Sequence, residues 1–312
     1  AISISILPIH TLHMNYCNNI LFIFLCICSS CGNEPELVTN KDAIHFSTRI
    51  QTLTTKAIIT DATLPANSQI GIFSWGHHKN DGNVNTTLRK DLTNTLYTQE
   101  AGSNELIATV ESHYPINPDT LLNFYAYYPY TQSGTNTPES IPFDLSKQED
   151  IMWATPVLNR SKATSDDVVN LAFNHLLSAI TIKFEKADDI KETMILESIS
   201  LAGYSPAIQL NIQTGKLTQT ATESNYTFIK DQNIEIVPEQ KTIITDCLLC
   251  PIAKPVFVVR MSGKDYRIES TKAFEAGKKQ TYEFTLQAKD IHLSGSINPW
   301  EDGGSSNETV YF

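Results

Sequence analysis

Val256-Phe257-Val258-Val259-Arg260-Met261, then Ser262-Gly263-Lys264-Asp265, then Tyr266-Arg267-Ile268, is the stretch that decides the fold class. Two runs rich in β-branched and aromatic residues flank a short polar turn with glycine, the pattern of a β-hairpin. The same style continues outward. Phe274-Glu275-Ala276-Gly277-Lys278 turns into Gln280-Thr281-Tyr282-Glu283-Phe284-Thr285-Leu286, and strand patterns precede the hairpin at 194–201, 207–212, 226–229 and 234–237. Further upstream lie 44–50, 70–75, 106–110, 121–130, 151–154, 168–173 and 179–184, with 57–60 as a further short strand. No window carries a sustained 3.6-residue apolar stripe with caps, so helix is minor. Many short strands with frequent turns predict an all-β chain of two tandem β-sandwiches, spanning 44–175 and 176–290. The divide falls at Asn174-His175-Leu176-Leu177-Ser178, and from Ile291 onward the pattern reads as an irregular tail.

The first of these strands is Ile44-His45-Phe46-Ser47-Thr48-Arg49-Ile50, which alternates with period two. Ile44, Phe46, Thr48 and Ile50 therefore share one face. Leu121-Leu122-Asn123-Phe124-Tyr125-Ala126-Tyr127-Tyr128-Pro129-Tyr130 is strongly aromatic. Alternation sets Phe124 and Tyr128 on one side and Tyr125 and Tyr127 on the other, and Pro129 ends the ladder because it has no N–H.

Ahead of the strands, Met14-Asn15-Tyr16-Cys17-Asn18-Asn19 leads into Ile20-Leu21-Phe22-Ile23-Phe24-Leu25-Cys26-Ile27-Cys28 and then Ser29-Ser30-Cys31. The apolar block has the length of a signal-peptide core and falls far short of the roughly 20 residues of a spanning helix. Apolar core, small residues and then cysteine resembles a bacterial lipobox, in which Cys31 is acylated and becomes the first mature residue. Residues 1–30 are then the signal peptide, with 1–13 upstream of the true start, although no Lys or Arg precedes the apolar block. Residues 31–43, polar and acidic at Gly32-Asn33-Glu34-Pro35-Glu36, read as a tether.

The 312 residues are 41% hydrophobic and 18% charged, a packed globular composition. The formal net charge of −11 repels nucleic acid and anionic lipid surfaces, so nucleic-acid partners are not expected. Four of the six cysteines, Cys17, Cys26, Cys28 and Cys31, belong to the signal or its cut site. The remaining Cys247-Leu248-Leu249-Cys250 lies in an apolar run, where positions i and i+3 of a strand face opposite ways, so it reads as core rather than a metal or redox pair.

No Gly-x-Ser-x-Gly elbow, His-Glu-x-x-His, phosphate-binding glycine loop or EF-hand spacing occurs, so no enzyme activity and no cofactor are expected. His77-His78 reads as part of a solvated loop through Asn83, and His175 as a core or boundary histidine with a satisfied ring nitrogen. The Asp188-Asp189 and Glu301-Asp302 pairs read as solvated loops.

The features, in order, resemble a family. A lipobox is followed by Ile44-x-Phe46, a Thr55-Lys56-Ala57 step, Ile70-Gly71-Ile72-Phe73 and Phe124-Tyr125-Ala126-Tyr127-Tyr128-Pro129. Phe173-Asn174-His175, Ala276-Gly277-Lys278 before Tyr282 and Leu286, and Ile297-Asn298-Pro299-Trp300 complete the set. This chain resembles the fimbrillins, the type V pilin-like lipoproteins of Bacteroidia. The resemblance implies two transthyretin-like or Ig-like sandwiches, export as a lipoprotein of the cell outer membrane, and removal of the first strand by an arginine-specific protease. It also implies assembly with other fimbrial subunits by strand donation. The usual Thr-Arg-Ala step has Lys56 in place of arginine, and Arg49 is the nearby arginine. The cut then falls at Arg49, or at Lys56 by a lysine-tolerant protease, or does not occur, as in an anchor or accessory subunit. Ile44, Phe46, Thr48 and Ile50 are the candidate displaced strand, and Val310, Tyr311 and Phe312 within the tail 291–312 the candidate donor segment. A non-enzymatic fimbrial subunit or adhesin is the first expectation. The rival is a solitary surface lipoprotein that binds glycan or host protein through aromatics such as Trp75, Trp153 and the Tyr125–Tyr130 run.

Overall fold

A computed structural model describes residues 42–51, 64–82, 84–132, 136–164, 168–221, 225–287 and 291–299. The signal and most of the tether, Cys31, Lys56, the 57–60 strand, Trp300, Glu301-Asp302 and the segment with Val310, Tyr311 and Phe312 lie outside the described residues. The chain is all-β: among the described residues there is no α-helix, and helical geometry is limited to single 3-10 turns. The strands of the first half are β1 Phe46–Ile50, β2 Gln69–His78, β3 Thr87–Leu88, β4 Thr95–Gln99, β5 Glu105–Ala108, β6 Thr120–Tyr128, β7 Ile141–Asp144, β8 Met152–Thr155, β9 Val157–Arg160 and β10 Val169–His175. Those of the second are β11 Ser178–Lys186, β12 Met194–Leu201, β13 Ala207–Asn211, β14 Lys216–Gln219, β15 Tyr226–Ile229, β16 Ile234–Ile236, β17 Lys241–Leu249, β18 Val256–Met261, β19 Lys264–Glu269, β20 Lys278–Leu286 and β21 Ile291–Pro299.

The second half is built of two sheets. One sheet runs β17-β11-β20-β21, the other β15-β12-β18-β19 with β16 on β12. They share one core, in which Phe257 of β18 meets Phe284 of β20 edge to face at 5.3 Å and Phe184 stacks on Phe284 at 4.7 Å. The first half differs from two open facing sheets. Its strands run β2-β4-β5-β1-β10-β8-β6, and β6 pairs back onto β2, so seven strands close into a barrel-like ring. Closure removes edges that an open sheet would leave unpaired. It also explains why β2 and β6 are apolar on both sides. Ile70, Ile72, Leu122, Phe124 and Ala126 fill the ring. Phe73, Trp75, Tyr125 and Tyr127 face outward and are buried under Ile141, Leu210 and Ile212. The covering sheet is β14-β13-β7, so β7 pairs with a strand of the second half.

Two expectations are corrected. His77 and His78 are not loop residues: β2 continues to His78 because Thr120 of β6 is its register partner, and His77 is buried. The chain from Ile291 is not irregular at first. β21 pairs with β20 through all nine residues and turns Ile291 and Leu293 into the sandwich core.

Gly71 and Tyr127 are partners across the β2–β6 seam, and a Cβ on Gly71 would sit 2.1 Å from the Tyr127 ring. The Tyr127 hydroxyl is held by Asn94 Oδ1 at 2.6 Å, so the ring has no easy exit. Gly71→Ala should therefore cost about 1–3 kcal/mol of stability by overpacking, read as a lowered urea midpoint; an unchanged midpoint would contradict this packing.

Candidate functional site

β1 is the strand that the sequence singles out, and its local sequence explains its place. Phe46, Thr48 and Ile50 point into the ring and are buried, as is Ile44 just before the strand, while Arg49 faces solvent. Phe46 packs edge to face against Tyr97 at 5.1 Å and Phe124 at 5.2 Å. The two sides of the strand are unequal. Along β10 it runs parallel with five register partners, from Phe46↔Val169 to Ile50↔Phe173. Along β5 it runs antiparallel with only Phe46↔Leu106 and Ser47↔Glu105. Thr48 N–H to Asn104 O at 2.8 Å and Ile44 N–H to Ser112 O at 2.8 Å extend that thinner seam through loop carbonyls. The peptide around Arg49 belongs to the stronger seam, closed by Gln51 N–H to Phe173 O at 2.8 Å.

One polar contact stands inside this apolar slot. Thr48 Oγ1 donates to Gln99 Oε1 at 2.5 Å, and both side chains are buried, at 2% and 1% exposure. Gln99 Nε2 in turn donates to the Ser103 carbonyl. The role of Gln99 was not legible beforehand, because β4 gave no clear strand pattern; the inward spacing Tyr97-x-Gln99 is the only signal.

The other candidates are accounted for by packing. The aromatic run divides as alternation requires, with Phe124 in the ring core and Tyr125 and Tyr127 in the cluster outside it. Trp75 is buried there, and Trp153, half-buried, donates from Nε1 to Ile212 O at 2.7 Å. None of the exposed large apolar side chains among the described residues is aromatic. Cys247 and Cys250 are buried in the sandwich core; burial pushes the Cys250 thiol up to about 12 and the Cys247 thiol up as well. His175 Nδ1 meets Asp150 Oδ2 at 2.6 Å, both nearly inaccessible, and desolvation raises the Asp150 carboxyl against the lowering effect of that histidine. Among the described residues no group of three His, Cys, Asp or Glu is placed to hold a metal ion.

The family model described as Fimbrillin-like matches residues 55–300. Fim1C of Bacteroides uniformis, named as a candidate fimbrium subunit, is 26% identical over 298 residues, which span 90% of this chain and 93% of that one. Three crystal structures share the fold. A candidate cell adhesion protein from Bacteroides uniformis gives a TM-score of 0.54 at 20% identity, over 83% of this chain and 99% of the other. One from Parabacteroides distasonis gives 0.54 at 8% identity, over 85% and 98%. A fimbrial protein from Bacteroides vulgatus gives 0.52 at 13% identity, over 82% and 99%. Matched by that family model over well over half of its length, this chain belongs to the fimbrillin-like family.

Proposed function

We propose that the chain is a non-enzymatic fimbrial subunit, or fimbrium-associated adhesin, of the bacterial cell surface. In this reading it is exported as an outer-membrane lipoprotein through acylated Cys31 and joins other fimbrial subunits by strand donation. The ring and the two-sheet half are then two tandem domains of the transthyretin-like or Ig-like class, divided near residue 175, with β21 extending the second to residue 299. The observation that carries the reading is the asymmetric seat of β1. It is a short strand in a closed ring, laddered fully on the β10 side and sparsely on the β5 side. Its departure would open a slot with an unpaired β10 edge and an apolar floor, the two things that a donated strand supplies. The family match itself begins at residue 55, past β1.

The energetics suit a strand that stays until it is cut. Each large side chain pulled out of the core costs about 1.5–3 kcal/mol, so Phe46 and Ile50 hold β1 in place while it is part of the chain. Of the two candidate cut sites, Arg49 is disfavoured, because a protease needs its substrate backbone free and the peptide there is hydrogen-bonded into the sheet. The cut in this reading follows Lys56. On the donor side, 291–299 is already committed to the chain's own sheet, so the donor is the part beyond it, with Val310, Tyr311 and Phe312 as its apolar residues.

Two measurements test these points. Expressed in a bacterium that processes lipoproteins, Cys31→Ala should move the protein from the membrane to the soluble fraction; equal membrane retention would refute the anchor. Limited trypsin treatment of the chain from residue 32 onward, followed by sizing, should give oligomers only after a cut at Lys56, and none when 305–312 is deleted. A chain that stays monomeric after a verified cut would instead describe a solitary or accessory lipoprotein.

A further inference from the structure

Resting on the reading that β1 is exchangeable, the buried Thr48–Gln99 contact says which strands the slot accepts. Ser103 O can only accept a hydrogen bond, so the Gln99 amide must turn its NH2 group to Ser103 and its Oε1 to the slot. The Ser103 contact lies within the β4–β5 connection and does not involve β1. At 1% exposure water does not replace a missing partner while a strand fills the slot. An apolar side chain opposite Gln99 would therefore strand a buried acceptor, whereas a hydroxyl satisfies it.

We propose that Gln99 is a selectivity and register pin, and that the slot takes a strand of pattern apolar-x-Ser/Thr-x-apolar running parallel to β10 with its hydroxyl opposite Gln99. In β1 that pattern is Phe46-Ser47-Thr48-Arg49-Ile50. Alternation alone forbids a slip of one residue, since that turns the apolar set to solvent, but it permits a slip of two. The pin removes that freedom: a two-residue slip places Phe46 or Ile50 against Gln99 Oε1 and leaves Thr48 against the apolar wall. A single buried polar group setting register in an apolar seam is a known physical device in coiled coils.

The test uses the chain from residue 32 onward, cut after Lys56 and freed of its first strand. Peptides of residues 42–52 are titrated in three forms, wild type, Thr48→Ser and Thr48→Val, and binding is read by fluorescence anisotropy. Wild type and Thr48→Ser should bind alike, and Thr48→Val roughly tenfold to a hundredfold more weakly, the effect of one unpaired buried acceptor. On a Gln99→Leu chain the order should reverse, with Thr48→Val the tighter ligand. Equal binding of wild type and Thr48→Val to the Gln99 chain overturns the pin while leaving strand exchange intact. Failure of every peptide, wild type included, overturns strand exchange and the pin with it. The uncut chain gives an independent reading: Thr48→Val should lower the thermal midpoint, and Thr48→Val with Gln99→Leu should recover most of the loss. A single variant as stable as wild type would also overturn the pin.

Discussion

The pairing of β2 with β6 is the constraint on which the rest of the structure depends. Eight consecutive register partners, from Gly71↔Tyr127 to His78↔Thr120, tie together two strands far apart in the chain and close the ring. Both strands are apolar on both faces, so closure buries one face and leaves the other in need of cover. That cover comes from β7, β13 and the residues after β13, which bury Phe73, Trp75, Tyr125 and Tyr127. The aromatic layer outside the ring therefore packs the first half against a sheet that includes a strand of the second. β1 has the opposite character. It is short, apolar on one face only, and laddered by five register partners on one side and two on the other.

The junction between the halves is built from polar contacts that complement this apolar layer. β10 ends at His175 and β11 begins at Ser178. Beside this step, Asp150 meets His175, and Leu176 N–H donates to Ile151 O at 2.9 Å. Gln148 acts as a substitute peptide group across a hundred residues of chain. Its Oε1 accepts from Leu248 N–H at 2.8 Å and its Nε2 donates to Leu248 O at 3.2 Å and Leu145 O at 2.8 Å. These contacts fasten the 145–151 segment to both halves.

Much of this was legible in the sequence, for a reason that also marks the limits. Strands with one apolar face announce themselves by alternation, and Met194–Leu201, Tyr226–Ile229 and the Val256–Met261 hairpin were read almost to the residue. The inward set Phe46, Thr48 and Ile50 was read the same way. Polar edge strands such as Lys216–Gln219 carry too little alternation to see. β21 was missed because glycine stands at an inward position, where a Cβ on Gly295 would lie 2.3 Å from the Thr281 carbonyl oxygen. Closure of the ring was not legible at all, since sheet order is a property of long-range pairing and not of any local pattern. For the same reason Gln99 was invisible as a partner of Thr48, 51 residues away.

The central claim is that β1 must leave its seat before the chain can assemble. Arg49 and Ala172 are register partners on β1 and β10, on the face away from the ring core. Cysteines at these two positions, oxidised to a disulfide, lock the strand to the sheet, and the buried Cys247 and Cys250 do not compete. After a verified cut at Lys56, the oxidised Arg49→Cys, Ala172→Cys chain should remain monomeric by sizing, and reduction should release oligomers equal to those of the cut wild type. Oligomers that form to the same extent with the disulfide intact would contradict the account, because assembly would then proceed without the slot.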